Sequence, residues 1–206
     1  MNSLLNIFLA LFVVVDPIGL APMFMALTRG LSVQLRRRIA IKGTVLAAAI
    51  LLVFFFTGDV LLKALGVSLA AFRIAGGALL FLLAIDMVFA RQSGLRSTTQ
   101  EEQQEAEHRQ DVSVFPLAFP LIAGPGAMTT VILVGTVQHD PVLFLGALLS
   151  LAVILALTLA SLLSASRLLG ILGETGTNVV SRVFGVVLAA LAVQFILDGA
   201  KAWFMA

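Results

Sequence analysis

The sequence predicts an all-α membrane protein with six transmembrane helices in two inverted three-helix repeats, helices 1 and 4 being discontinuous. Three observations predict this fold: a composition that is 60% hydrophobic and only 12% charged, long continuous apolar runs, and proline-glycine breaks at matching places in the two halves. Soluble domains carry about 25% charged residues. A transmembrane β-barrel would show alternating apolar and polar residues in segments of about ten, which this chain lacks.

Six apolar segments reach the roughly 20 residues that a helix needs to cross the hydrocarbon core. They are 4–28, 39–58, 67–90, 112–137, 142–166 and 178–203. The hydrophilic connector 91–111 separates an N-terminal repeat (1–90) from a C-terminal repeat (112–206) within one membrane domain. The first run carries no Lys or Arg before its apolar residues. It is therefore interpreted as a permanent span and not as a secretory signal peptide.

The orientation of the spans follows from the Lys and Arg residues in their connectors. Nine such residues lie in connectors 1, 3 and 5, and two lie on the opposite side. The nine are Arg29, Arg36, Arg37, Arg38, Lys42, Arg91, Arg96, Arg109 and Arg167, and the two are Lys63 and Lys201. The odd-numbered connectors are therefore predicted to be cytoplasmic, with both termini outside. The "QLRRR" run has no interleaved aromatic residues, so it indicates a topology anchor and not a nucleic-acid site.

The two halves share residues at nearly one spacing, about 108 to 109 positions, which indicates an internal repeat. The matched pairs are Pro17 with Pro125, Arg73 with Arg182, and Gly76 with Gly185. Because each half has an odd number of spans, the second half enters the bilayer from the opposite side. Inverted repeats of this kind are typical of secondary transporters, whose sites lie where broken helices meet near the midplane. The glycines of spans 3 and 6 are predicted to permit close helix packing.

The first break is "DPIGLAP" (16–22), in the middle of span 1. Pro17 has no backbone N–H and disfavours helix at the residue before it. Asp16 is therefore predicted to cap a new half-helix whose first residue is Pro17. Two interpretations of Asp16 stay open: it caps the break only, or it also takes part in transport and is then the candidate for a coupling proton.

The second break is "FPLIAGPGAMTT" (119–130), in span 4. Pro120 is predicted to make a kink, whereas Gly124, Pro125 and Gly126 interrupt the helix. Gly126 would tolerate a positive φ and allow a ligand close to the backbone. A half-helix N-terminus favours a carboxylate and a carbonyl end favours a cation, so the two breaks together match a small zwitterion.

"VDPIGLAPMF" in span 1 and "FPLIAGPGAMTT" in span 4 resemble the paired signatures of the MarC family, also grouped as small neutral amino acid transporters. The similarity extends over essentially the whole chain. It implies an inner-membrane protein with discontinuous spans 1 and 4 that moves small neutral amino acids, such as glycine and alanine, in at least one branch. The substrate-binding residues that it implies are Asp16, Pro17, Gly19, Pro22, Gly124, Pro125, Gly126 and Thr130. Ile18, Ala127 and Thr129, in the same two motifs, complete the predicted substrate-binding residues. The second motif has glycine where the first has aspartate, so the two halves are not chemically equivalent.

The predicted function is therefore secondary transport of small neutral amino acids across the bacterial inner membrane by alternating access. Coupling to H⁺ or Na⁺ is expected, or facilitated transport, because the chain has no P-loop for ATP hydrolysis. The alternatives are a channel, an exporter of another small solute, or a membrane scaffold, which a midplane cavity too small for a ligand would favour. An enzyme, a cofactor and a metal site are not expected, since the chain has no Cys, and His108 and His139 fall in connectors. The lipid bilayer is the other expected partner, and the residues do not fix an oligomeric state.

Overall fold

The structure, a computed structural model, describes residues 2–89, 112–135 and 140–205. All regular secondary structure in this part of the chain is helical, in eight elements. The helices are α1 (Asn2–Val15), α2 (Leu20–Leu27), α3 (Val33–Ala64), α4 (Leu69–Phe89), a π-helical stretch called the proline segment (Ser113–Ile122), α5 (Pro125–Gly135), α6 (Pro141–Leu163) and α7 (Ala165–Phe204). The predicted cytoplasmic connector 91–111 lies outside the described residues.

Five apolar helical segments are long enough to cross a membrane, and the proline segment with α5 forms a sixth span that is bent by 60°. The five are Leu4–Leu27, Val33–Ala64, Leu69–Phe89, Pro141–Leu163 and Thr175–Phe204. The predicted all-α membrane fold is therefore confirmed, and every described span overlaps its predicted segment. The inverted relation between the halves stays a prediction.

Helices α3 and α7 are longer than the apolar runs predicted, and polar residues cap α3 and α6. The Ser32 hydroxyl accepts a hydrogen bond from Leu35 N–H at 3.3 Å, so α3 begins at Val33 and includes the arginines of connector 1. Asp140 caps α6 in the same way. Helix α7 begins at Ala165 and changes direction at Gly173, where φ is 66°. Connector 5 is thus largely helical.

The two broken spans lie at the centre of the bundle. The segment Leu4–Leu27 is 56% buried within the protein, whereas the other four long spans are 17 to 33% buried. Helix α3 packs against α5 and the proline segment, α1 packs against α6, and α2 packs against α7. The unbroken helices therefore surround the two breaks and shield their backbone groups from lipid.

Helices α4 and α7 pack closely against each other through glycine. A Cβ atom on Gly77 would lie 2.7 Å from the Ala192 carbonyl oxygen, and one on Gly185 would lie 2.9 Å from Met87 Cβ. Such contacts require the absence of a side chain, as small-residue packing in membranes predicts. Gly77 of α4 meets Ala192 of α7, whereas Met87, later in α4, meets Gly185, earlier in α7. The two helices therefore run antiparallel.

Candidate functional site

The first break lies between α1 and α2 and depends on the conformation of Asp16. This residue is 1% exposed and has a φ of 50°. Asp is one of the few residues that enter the left-handed region, because its short side chain bonds locally to the backbone. Here Oδ1 accepts a hydrogen bond from the Gly19 N–H at 2.9 Å. The predicted capping bond is present, but Pro17 to Gly19 form a turn, and the α-helix begins at Leu20 and not at Pro17.

Two serines from other spans contact this turn. The Ser161 hydroxyl of α6 donates a hydrogen bond to the Pro17 carbonyl at 2.5 Å. A Cβ atom on Gly19 would collide with Asp16 Oδ2 and lie 2.7 Å from the Ser181 hydroxyl of α7. Only glycine therefore fits at position 19. Neither serine could be selected from the sequence, since isolated serines in apolar runs give no pattern.

The second break joins the proline segment to α5. The backbone leaves the helical region at Phe119 (φ −133°, ψ 129°), directly before Pro120, as a proline requires of the residue before it. The chain then turns by 60° across positions 123 and 124 before α5 begins at Pro125. The main change of direction therefore comes at positions 123 and 124, after the kink that was predicted at Pro120.

The glycines of the second break provide space and not an unusual backbone conformation. Positive φ occurs, among the described glycines, at Gly30, Gly66 and Gly173, so Gly126 does not use the positive φ that glycine tolerates. Instead, a Cβ atom on Gly126 would lie 2.8 Å from Leu80 Cδ2, and one on Gly124 would lie 2.5 Å from the Pro120 carbonyl oxygen. The Leu80 side chain thus approaches the backbone of Gly126 closely, and the Pro120 carbonyl approaches that of Gly124.

The two threonines of the second motif are buried and face the protein. Thr130 Oγ1 donates to the Gly126 carbonyl at 2.9 Å, within α5. The Thr129 methyl group packs directly against Gly76 of α4. Neither side chain lines the cavity described next, so both hold α5 in place.

A cavity of about 20 Å³ lies beside the second break. Its wall consists of Val14 from α1, two leucines from α4, and residues on both sides of the second break. They are Val14, Leu79, Leu83, Pro120, Leu121, Ile122, Gly124, Pro125, Gly126 and Ala127. A volume of this size holds about one water molecule. Four of the eleven predicted site residues (Gly124 to Ala127) line it; the other seven, in the first break and at the threonines, do not.

The cavity lies between the first turn of α5 and the last turn of α1, two helix ends whose dipoles have opposite signs. The first N–H groups of a helix have no partner inside that helix, and those of Gly126 and Ala127 belong to the first turn of α5. On the other side, Val14 lies in the last turn of α1, where the carbonyl end of the helix dipole is negative. Among the described residues no group of three His, Asp or Glu side chains could hold a metal ion.

The chain matches the MarC family model, described as "MarC family integral membrane protein", over residues 1–204. The chain belongs to the MarC family. Three relatives, all called "UPF0056 membrane protein", cover almost its whole length. YvbG of Bacillus subtilis is 33% identical over 98% of this chain and 96% of its own. A protein of Archaeoglobus fulgidus is 34% identical over 93% and 89%, and YhcE of Escherichia coli is 34% identical over 96% and 91%.

No solved structure matches this MarC family chain. The family and the names of the relatives establish a multi-pass integral membrane protein. The predicted resemblance to the MarC family is therefore confirmed. None of these names states a substrate.

Proposed function

We propose that this protein is a secondary transporter that moves small neutral amino acids across the bacterial inner membrane by alternating access, with both termini outside. The observation that carries the proposal is the cavity between the end of α1 and the beginning of α5. It lies where two broken spans meet inside a bundle of unbroken ones, which is where inverted-repeat transporters bind their substrates.

The charges around the cavity support a zwitterionic substrate. A substrate carboxylate would accept hydrogen bonds from the free N–H groups of Gly126 and Ala127 at the start of α5. Its ammonium group would face the carbonyl end of α1 near Val14. Leu79 and Leu83 close the remaining side with apolar surface. This wall favours substrates with a small or absent side chain, such as glycine and alanine.

Substrate binding requires the cavity to widen, because its present volume suits about one water molecule. The breaks provide the hinges: α1 and α2 are joined by the turn at Asp16, and α5 is joined to the proline segment at Gly124. Movement of a half-helix about either hinge would open the cavity toward one side of the membrane. In the proposed transport cycle the two hinges open alternately, so that the cavity opens first toward one side of the membrane and then toward the other.

Asp16 is the proposed coupling residue, since an ionisable group at this depth is functional by default. It does not line the cavity. Its side chain instead caps the turn that leads into α2, so a proton or a sodium ion at Asp16 would act on transport by changing the geometry of the first hinge. Binding at Asp16 and binding in the cavity are thus coupled through α1.

The small cavity also favours a second candidate, a membrane scaffold without a substrate. The two candidates differ in whether the cavity opens. Uptake and counterflow of labelled glycine and alanine by the purified protein in liposomes distinguish them, and an ohmic current would indicate a channel. Saturable counterflow is the expected result, whereas a complete lack of uptake for all small zwitterions tested would overturn the proposal.

Two glycine substitutions test whether uptake depends on the cavity. In Gly126→Ala the new Cβ would lie 2.8 Å from the flexible end of Leu80 and 3.5 Å from Val14, so it narrows the cavity. The control is Gly170→Ala on α7, whose Cβ would meet no described atom within 4 Å. We expect Gly126→Ala to lower glycine uptake at least tenfold and Gly170→Ala to leave it unchanged; equal uptake by both variants would place the substrate elsewhere.

A further inference from the structure

Helix α7 presents two different faces. One face, with Gly185 and Ala192, is buried against α4. The opposite face is exposed and apolar, and its residues are spaced alternately three and four positions apart. They are Val183, Val186, Ala190, Val193 and Leu197. This 3.5-residue repeat is the pattern by which two helices pack along a common seam.

Two interfacial residue types, an arginine and a tryptophan, indicate the depth of the C-terminal part of α7 in the bilayer. Arg182 is exposed several residues inside the span Thr175–Phe204, and Trp203 is 61% exposed near the C-terminal end of that span. Arginines and tryptophans of spanning helices lie at the two membrane interfaces. At about 1.5 Å per residue, these two residues are roughly 32 Å apart, close to the hydrocarbon thickness of about 30 Å. The apolar stripe between them therefore lies at hydrocarbon depth.

Two polar side chains interrupt the exposed face at that depth. Gln194 and Asp198 are both exposed, and Gln194 Nε2 donates to Asp198 Oδ1 at 2.8 Å. Gln194 lies roughly 14 Å from Trp203 along the axis, near the bilayer midplane. Polar side chains at such depth almost always face protein or a water-filled cavity. A carboxamide also offers a second donor and a carbonyl oxygen beyond the bond to Asp198. The face of α7 that carries Gln194 is thus poorly suited to lipid.

A second copy of this chain provides a partner of matching chemistry at matching depth. All copies share one orientation in the membrane, so a two-fold axis along the membrane normal brings the same residue of both copies to the same level. A carboxamide is self-complementary, since it both donates and accepts. Ala190, in the middle of the stripe, allows two helices to approach closely. Of the five long spans, Thr175–Phe204 is also the least covered by its own chain, at 17%.

We propose that the outward face of α7 is a homodimer interface, in which two α7 helices run parallel and the Gln194 side chains hydrogen-bond across the two-fold axis. The apolar stripe forms the seam, and Asp198 orients the carboxamide of its own chain. This interface lies on the side of α7 that faces away from α4, so it does not depend on the proposed transport activity.

Disulfide cross-linking tests the interface directly, because the chain contains no cysteine. Single variants Ala190→Cys and Val193→Cys, oxidised in native membranes, are expected to form a product of twice the chain mass, since seam positions reach disulfide distance. The control is Val153→Cys on α6, where the native side chain is 47% exposed. Equal cross-linking of the control, or products whose mass is not double, would overturn the proposal.

A second measurement tests the role of Gln194. Single-molecule photobleaching in liposomes at decreasing protein density gives the dimer dissociation constant. Gln194→Leu should raise this constant roughly 3- to 30-fold, the range measured for polar contacts between membrane helices. The control Thr57→Val removes an exposed hydroxyl that bonds within its own helix and should leave the constant unchanged. Single-step bleaching of the wild type at all densities, or an unchanged constant for Gln194→Leu, contradicts the interface.

Discussion

Substitutions at Asp16 separate its two structural contributions, the capping bond to Gly19 and the left-handed backbone conformation. Asp16→Asn keeps both, because asparagine offers the same acceptor and tolerates positive φ. Asp16→Gly keeps the conformation but loses the bond. Asp16→Ala loses the bond and also holds alanine at a φ of 50°, although alanine has no side-chain acceptor that could stabilise this conformation.

The expected losses in stability follow from these differences. Leaving the buried Gly19 N–H without its acceptor costs about 1–3 kcal/mol, so Asp16→Gly should lose about 2 kcal/mol. The left-handed conformation adds about 1–2 kcal/mol for alanine, so Asp16→Ala should lose about 3–4 kcal/mol. For a chain of this size 1 kcal/mol corresponds to about 2–4 °C in Tm. The expected decreases are roughly 4–8 °C for Asp16→Gly and 6–16 °C for Asp16→Ala, and less than about 3 °C for Asp16→Asn.

The assay is the fraction of protein that stays monodisperse after heating in detergent, followed through a fused fluorophore at one fixed heating time, because heated membrane proteins aggregate irreversibly. The reasoning is refuted if Asp16→Asn is as unstable as Asp16→Ala, since the charge and not the cap would then matter. Uptake by the stable Asp16→Asn variant in liposomes with an imposed pH gradient then separates the two interpretations of Asp16. Undiminished uptake would limit Asp16 to capping, whereas loss of the response to the gradient indicates a coupling proton.

Three further predictions concern packing and topology. Gly77→Ala places a Cβ atom 2.7 Å from a backbone oxygen of α7 and should lower the apparent Tm by at least 4 °C, which corresponds to at least about 1–2 kcal/mol of overpacking. Gly170→Ala should not lower the Tm, and equal Tm values for the two variants would contradict the close packing of α4 and α7. Ser161→Ala removes the hydroxyl that binds the carbonyl of the first break and should cost about 1 kcal/mol, measured in the same assay; no change would show that the bond contributes nothing. In Lys63→Cys and Arg37→Cys, a membrane-impermeant maleimide applied to intact cells should label only position 63, and the opposite pattern would invert the proposed orientation.

The spans and the breaks could be predicted from the sequence because their causes are local. A run of about 20 apolar residues is long enough to cross the hydrocarbon core wherever it occurs. Proline lacks an N–H group and restricts the residue before it, so Pro17 and Pro125 mark the two interruptions without reference to the rest of the chain. The helix ends were less accurate, because the Ser32 cap lets α3 begin at Val33, ahead of the predicted start at position 39.

The residues around the cavity follow from the sequence only in part. Local chemistry indicated that Asp16 would cap the first break, and the bond to Gly19 is present. The sequence gives no reason to select Val14, Leu79 and Leu83, which are apolar residues in apolar helices, yet they form the wall of the cavity opposite the second break. Conversely, the matching motifs placed Asp16 and Gly126 in one site, whereas the cavity includes Gly126 and not Asp16.

The amino-acid sequence by itself thus determines an integral membrane protein of the MarC family, its spans and the two positions where the helices break. Only the tertiary structure decides which groups satisfy and surround those breaks: Ser161 and Ser181 come from spans far along the chain, and α4 closes the cavity. The physical reason is that a helix break depends on the backbone chemistry of a few consecutive residues. The environment of that break depends on which faces of distant helices pack together, and glycines such as Gly77 and Gly185 fix that packing through contacts that exist only after folding.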